Sequence, residues 1–430
     1  MTFTKLRGKL NINVFKLYYL LPFLLVTGPF LADLLVTISS IFFIIYFTLY
    51  KEKILKISWI FYFILFYFIL ILTSIFSISS SISFKSSIPY LRFLIMVLSI
   101  YYLIDKKVLK LSTFYFCIIS LIIILSADGL FQFITGKNIL GFKSPLVYRI
   151  TGLFNEKAVL GNFIFKLIPF IFFLHLVTKD FMFKKYLFFI CLIFSVVAIT
   201  ISGDRSAFFL LIFFIILTCL IFFSKKNLLI TFIVLSLIFL LILKNEILKN
   251  RIIFMTYVGF FNTLEMFSHE KIDKKINIEK KNNTKIHFYI SDDHHNHMLT
   301  AINIFKEYPL LGSGPNTYRI ICRDERFFIK ENSCTTHPHN YYLQLLSETG
   351  LLGFIFLLIL FLKTSYYLFI KCPFLQTKKI DYFIYVNIFL LLLPVLPNGN
   401  FFNNWLSIIN FLPFGFYLYY FKNKAQFKSK

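Results

Sequence analysis

Long apolar runs separated by short connectors dominate this chain and leave few options for its fold. A helix needs about 20 apolar residues to cross the hydrocarbon core of a bilayer, fewer where it is shortened or tilted inside a bundle. By that measure there are twelve candidates: residues 14–28, 30–50, 57–77, 87–104, 111–133, 158–178, 185–202, 206–223, 227–244, 347–370, 381–397 and 402–421. The first two are broken by Pro22, Gly28 and Pro29, so a re-entrant pair is the alternative there. Composition agrees: 58% of the residues are hydrophobic and mean hydropathy is +0.77. Only 15% are charged, against about 25% in soluble domains. The expectation is an all-α polytopic membrane protein with about 12 transmembrane helices and one large external loop containing short helices.

A net charge of +25 would suggest nucleic acid as partner in a soluble chain. Here much of the Lys and Arg sits in connectors, where the positive-inside bias explains it, and no nucleic-acid partner is expected. Lys5–Lys16, Lys51–Lys56, Lys106–Lys110, Lys179–Lys185, Lys225–Lys226, Lys371–Lys379 and the tail Lys422–Lys430 fall on one side. That side is cytoplasmic, so both termini are placed inside. The basic start MTFTKLRGKLNINVFK runs into the first apolar run without a small-residue cleavage site, so no secretory signal is read there. The division is residues 1–244, nine spans with short loops; 245–346, a long external loop; 347–421, three spans; and 422–430, a basic tail.

The external set includes the serine-rich SISSSIS after Ile75, the segment 134–157, a tight turn at Ser202–Ser206 and a PNGN turn at 397–400. Within 245–346, KNEILKNRIIFMTYVGFFNTLEMF has helical apolar spacing and is expected to continue, or lie along, the membrane. HEKIDKKINIEKKNNTK is charged and expected to be a mobile loop. HMLTAINIFKEY reads as an amphipathic helix stopped by Pro309, then the turn LLGSGPNTY, then a helix starting near His339. Cys117, Cys191 and Cys219 lie inside apolar runs, where a thiol fills core.

HNYYLQLLSETGLLG carries His-Asn, nine residues, Gly, two residues, Gly. With IFKEYPLLGSGPNTYRIIC, ISGDRSAFF and the pair DGLFQFITGKNILG and YRITGLFNEKAVLGNFI, it resembles the O-antigen ligase and polymerase superfamily. That resemblance implies a multi-pass protein of the bacterial inner membrane with a large periplasmic loop. It also implies glycan transfer from undecaprenyl diphosphate to an acceptor at the periplasmic face, without a metal or other cofactor. Many members carry an Arg where this chain has His294, in SDDHHNHMLTAINIF, which puts the phosphate-binding role of that position in question.

Such a transfer needs cations for the leaving diphosphate and a base for the acceptor hydroxyl. Arg205, in a short external turn, is the first candidate for the diphosphate, because a guanidinium binds phosphate bidentately. Pairing with Asp204 or anchoring at headgroups is the bland alternative. Arg149 and Arg92 are further substrate-binding candidates that could instead snorkel or pair with Glu156. His339 is assigned as base because imidazole titrates near neutrality, against a capping or loop-packing role. His337 would shape the site, and Asn340 would either orient the imidazole or cap the helix. Gly350 and Gly353 suggest close helix packing. Gly312 and Gly314 suggest a fixed turn, with a phosphate nest as the alternative. The cluster DDHHNH, and Cys334 with His337 and His339, lack paired metal-ligand spacing, so no metal is expected. A disulfide between Cys322 and Cys334, which share the external loop, is the better explanation for that pair.

The reading is therefore an inverting O-antigen ligase-like transferase, with an undecaprenyl-diphosphate-linked donor and lipid A–core as acceptor. The same fold could serve a polymerase joining lipid-linked repeats, or a transferase to protein Ser or Thr. A lipid-linked glycan flippase is the rival from another class. It would be expected to carry charges deep in several spans, whereas the notable Arg and His residues here gather at one face.

Overall fold

The computed structural model describes residues 12–50, 58–146, 148–222, 224–258, 292–329, 333–372, 379–394 and 397–427. The stretch HEKIDKKINIEKKNNTK falls outside the described residues. Among those described, the regular elements are helices, and the only extended pairing is an isolated bridge between Lys137 and Lys143.

Every one of the twelve apolar stretches contains a helix. They are α1 (Ile12–Leu24), α2 (Pro29–Tyr50), α3 (Ser58–Ile75), α4 (Ser80–Asp105), α5 (Leu111–Thr135), α6 (Leu160–Val177), α7 (Lys184–Ile201), α8 (Arg205–Ile221) and α9 (Lys225–Lys244). After the long loop come α13 (Tyr341–Tyr366), α14 (Lys379–Leu391) and α15 (Asn404–Lys422). Six of these regions are long and apolar enough to span a membrane by length and composition: α2, α4, α5, α6, α7, and α13 with its extension to Lys371. α9 forms a seventh only together with α10 (Glu246–Val258), from which it is bent by 100°. Of the remaining apolar helices, α1, α8, α14 and the stretch Trp59–Ile75 of α3 are shorter, whereas α15 has the length, 19 residues, but not the apolarity. α1 is mostly 3-10 helix to Leu20, and it stops at the turn where Gly28 has φ 119°.

α6 lies deepest, packed by α5, α7, α14 and α15. α15 crosses α4 closely at Gly415, where a Cβ would lie 2.9 Å from the Val97 carbonyl oxygen. Phe and Tyr side chains such as Phe93, Phe170, Phe416 and Tyr420 fill the space between. The free thiols Cys191 and Cys219 are buried and Cys117 is half-buried.

The described part of KNEILKNRIIFMTYVGFFNTLEMF, up to Val258, is the helix α10, set at 100° to α9, which is the geometry of a broken span or of a re-entrant loop. Asn245 caps the new helix by accepting from Leu248 N at 3.0 Å. In the loop, α11 (Asp292–Glu307) starts earlier than expected, so the residues of DDHHNH form its first turns. A short helix α12 (Tyr318–Ile321) follows the glycine turn.

Candidate active site at the loop and helix α13

α13 begins at Asn340, whose side-chain oxygen accepts from Tyr342 N at 2.9 Å and Leu343 N at 3.2 Å. Its amide nitrogen donates to the Pro394 carbonyl at 2.7 Å. Asn340 is thus a helix cap, which satisfies two of the otherwise orphaned N–H groups.

Ten residues after Asn340 the helix opens. Gly350 has φ 62° and ψ −158°, outside helical geometry, and the glycine turn enters the gap. Ser313 N donates to Ser347 O (2.9 Å), Gly314 N to Glu348 O (2.8 Å) and Leu351 N to Pro309 O (2.9 Å). A Cβ on Gly350 would collide with the Leu310 carbonyl, and one on Gly312 with the Glu348 carbonyl. Gly350 therefore makes a helix break filled by backbone rather than a helix–helix contact. The phosphate-nest alternative for 312–314 also fails, since those three N–H groups are already bonded, Gly312 N to Tyr308 O at 3.1 Å. Gly353 keeps ordinary helix geometry.

The serine-rich connector holds the other side of this turn. Ser77 and Ser83 hydroxyls donate to the carbonyls of Ser313 (3.0 Å) and Pro315 (3.1 Å), and Asn316 donates to Ser86 at 2.9 Å. Tyr318, fully buried, donates from its backbone to Glu348 Oε1 (2.8 Å) and from its hydroxyl to the His297 carbonyl (2.9 Å). Tyr318 thus ties α11 to α13, its hydroxyl bonded to the one and its backbone N–H to the other. Cys322 and Cys334 are joined, with Cα atoms 5.1 Å apart, and the bridge ends three residues before His337.

The result is a cluster of four imidazoles. His339 lies at its centre, its ring 4.1 Å from that of His337, 4.7 Å from His294 and 5.7 Å from His297. His339 has φ 58°, a conformation rarely held by a residue other than glycine, and its carbonyl accepts from Asn398 N at 2.7 Å. Burial, and then the neighbouring rings, push His339 down to about 3; burial likewise takes His337 to about 4. Both are neutral at pH 7. No group of three or more His, Cys, Asp or Glu among the described residues has the geometry to hold a metal ion.

Arginines form a second cluster around Asp204. This aspartate caps α8, accepting from Ala207 N at 3.4 Å, and also receives Asn162 Nδ2 (3.1 Å) and Arg149 (3.3 Å). Arg149 additionally donates to the Ala158 carbonyl at 2.6 Å. Arg205 does not pair with Asp204: it donates to the Met255 carbonyl at 3.1 Å. Arg251, on α10, donates to the Gly203 carbonyl at 3.1 Å and to Met255 Sδ at 3.2 Å. Among the described residues neither Arg205 nor Arg251 makes an ion pair. Burial first, then the charges of Arg205 and Arg149, lower the proton affinity of Arg251.

The segments DGLFQFITGKNILG and YRITGLFNEKAVLG form one polar corner that carries Arg149. Gln132 Oε1 accepts from Thr151 N (3.0 Å) and Gly152 N (2.7 Å), and Asn138 donates to Gly152 O at 2.9 Å. Arg92 is bound differently. It pairs with Asp33 at 2.7 Å, and Asp33 also receives Asn404 at 3.1 Å, so Arg92 joins α4, α2 and α15. The partner expected for Arg92 and Arg149, Glu156, belongs to neither.

A cavity of about 790 Å³ is lined by His337 of the first cluster and by Asn162, the bonding partner of Asp204 in the second. Thr336, His337 and Arg319 line one part of it and Asn162, Lys166 and Asn410 another. Asn162 touches the cavity on one side and Asp204 on the other. Reasoning from sequence passed over Arg251, Arg319 and Lys166, and considered His297 only as part of DDHHNH. Lys166 did leave a signal, a lone cation in the middle of an apolar run. Arg319 left none, because only folding brings it to this site.

Residues 187–358 match the family model described as O-antigen ligase. The matched region runs from α7 into α13 and includes Arg205, Arg251, the four histidines and the glycine turn. No curated protein matches the chain.

Proposed function

We propose that this chain, whose residues 187–358 match the family model described as O-antigen ligase, is a ligase-type glycosyltransferase. It moves a glycan from undecaprenyl diphosphate to the lipid A–core acceptor at the periplasmic face of the inner membrane. The observation that carries the reading is a cluster of four imidazoles, of which His337 lines the cavity, together with a pair of arginines that have no carboxylate partner among the described residues, next to an aspartate bonded to the cavity-lining Asn162.

In the proposed step the acceptor hydroxyl gives its proton to His339 while its oxygen bonds the anomeric carbon. The bond from that carbon to the diphosphate oxygen breaks, the electron pair leaves with undecaprenyl diphosphate, and the configuration inverts. The leaving group is a stable anion, so cations matter more than a proton donor. Arg205 and Arg251 supply them, and Arg149 with Asp204 positions the turn that holds Arg205. His294, beside His339, is assigned a donor contact in place of the family's arginine.

Held at about 3 by burial and the neighbouring rings, His339 is a weak base. A bound diphosphate places negative charge near the imidazoles and raises their proton affinity. The base therefore strengthens when the donor is seated.

Lipopolysaccharide gels of a strain lacking the gene, complemented with wild type or His339→Ala, test this together with an assay of lipid-linked glycan. Long glycan on undecaprenyl diphosphate over a bare core, unrescued by the variant, is the expected result. A core carrying a single repeat would identify a polymerase instead, and normal banding with His339→Ala would remove His339 from the mechanism.

A further inference from the structure

The cavity contains several polar groups with nothing to bond. Among the described residues, His337 Nε2, Asn398 Nδ2 and Asn155 Oδ1 are buried without a hydrogen-bond partner, and all three residues line it. Buried polar atoms are almost always satisfied, and an unmade bond costs about 1–3 kcal/mol. Two donor-capable positions and one acceptor at separate points of one cavity are the complement of a ligand bearing several hydroxyls.

The remaining lining says more about that ligand. Its charged side chains are Lys157, Lys166 and Arg319 against one carboxylate, Glu156. Lys166 stands on α6, one turn beyond Asn162, and donates to Asn410 Oδ1 at 3.0 Å. Among the described residues it has no carboxylate partner. An ammonium has three donors, so two remain for a ligand, and a cation inside a helix bundle is costly unless something anionic meets it. Trp405 lines the same cavity, stacked on Phe163 with centroids 5.7 Å apart and held by its indole N–H to the Leu25 carbonyl at 2.6 Å. Its position is thus fixed, and it offers a flat apolar surface of the kind a sugar ring covers.

We propose that this cavity is a subsite for an acidic saccharide, with its carboxylate or phosphate at Lys166 and its hydroxyls read by Asn155, Asn398 and His337. The volume lies within the range of about 300–1,000 Å³ usual for small-ligand sites. That the saccharide is the acceptor end rests on the transferase reading above, because His337 places the hydroxyl-bearing ring beside His339. The donor diphosphate has its own cations, Arg205 and Arg251, on the far side of Asn162 and Asp204. Lys166 lies outside the residues matched to the family, so the subsite is argued from this chain alone.

The chain has two tryptophans, Trp59 and Trp405. In the full-length Trp59→Phe protein in lipid nanodiscs, Trp405 fluorescence is titrated with glucuronic acid, glucose and inorganic pyrophosphate. The expected result is a saturable change with glucuronic acid, at least tenfold weaker with glucose. Lys166→Gln should weaken the acid at least tenfold and leave glucose unchanged, and Asn398→Ala should weaken both sugars. Thermal melts of each variant establish that it is folded. Equal binding of the acid and neutral sugars, an unaltered Lys166→Gln titration, or competition by pyrophosphate at lower concentration than the uronic acid would each overturn the subsite. The titration needs no donor and no turnover. A failure of the lipopolysaccharide experiment therefore leaves this result standing, and failure here leaves the transferase reading intact.

Discussion

Gly350→Ala is the most direct test of how the site is held together. The residue sits at φ 62°, ψ −158°, and holding an L side chain in such a region costs about 1–3 kcal/mol. The new Cβ would also strike the Leu310 carbonyl and crowd Gly312 N, 2.7 Å away. To relieve this, the turn at 309–314 must lift off, giving up the three backbone bonds between it and residues 347–351. At about 1 kcal/mol each those bonds contribute about 3 kcal/mol, for a total of about 4–6 kcal/mol. Even the hydrogen-bond share alone shifts the opening of the turn by a factor of about 100. Hydrogen exchange followed at Ser313 and Gly314 should show that loss of protection, and glycan transfer should fall with it. Gly353→Ala is the internal comparison. Its Cβ would crowd the Thr349 side chain, whose hydroxyl donates to Leu345 O at 2.7 Å and whose Cβ would lie 2.8 Å away, so the adjustment falls within α13 and leaves the turn at 309–314 in place. Equal protection at Ser313 in Gly350→Ala and wild type, or equal damage from the two alanines, would refute the interlock.

Further outcomes follow from the same geometry. Because folding lowers His339 to about 3 and His337 to about 4 from an ordinary 6.5, the unfolded chain binds the extra protons; their contribution is complete above about pH 6.5 and fades as pH falls toward 4. Melting curves between pH 4 and 8 should show wild type losing stability on acidification more steeply than His337→Gln. The Cys322–Cys334 bridge spans a sequence separation of 12, and closing a loop of that size contributes about 3 kcal/mol on the chain-entropy model. A double Ser variant should accordingly lose transfer at a lower temperature, and a reductant should do the same to wild type only. Arg205→Lys keeps the charge but loses the planar fork, so the donor KM is expected to rise about tenfold with the acceptor KM unmoved, measured in a purified transfer assay.

The helices were legible because a long apolar run has one economical solution in lipid, and each of the twelve stretches contains one. How many of them span was less so. A helix such as α14, 13 residues over its described length, rises about 20 Å, short of the roughly 30 Å of hydrocarbon. The Cys322–Cys334 disulfide followed from residue type and loop membership, and capping was one of the two readings open for Asn340. The partners did not. Ser77, Ser83 and Ser86 looked like a polar connector, and their bonds go to residues some 230 positions away.

Sequence by itself thus determined the class of the protein, its helical stretches and the residues able to do chemistry, since hydropathy, capping and proton affinity belong to single residues or short windows. Tertiary structure decided which of those residues act together. It gave Arg92 to Asp33 and Arg149 to Asp204, left Arg205 and Arg251 without carboxylates, gathered four histidines from two segments, and set Lys166 in a cavity. Charge pairing and burial depend on distances across the fold, and those are set by packing, the interlocked glycine turn and the bent α9–α10 pair.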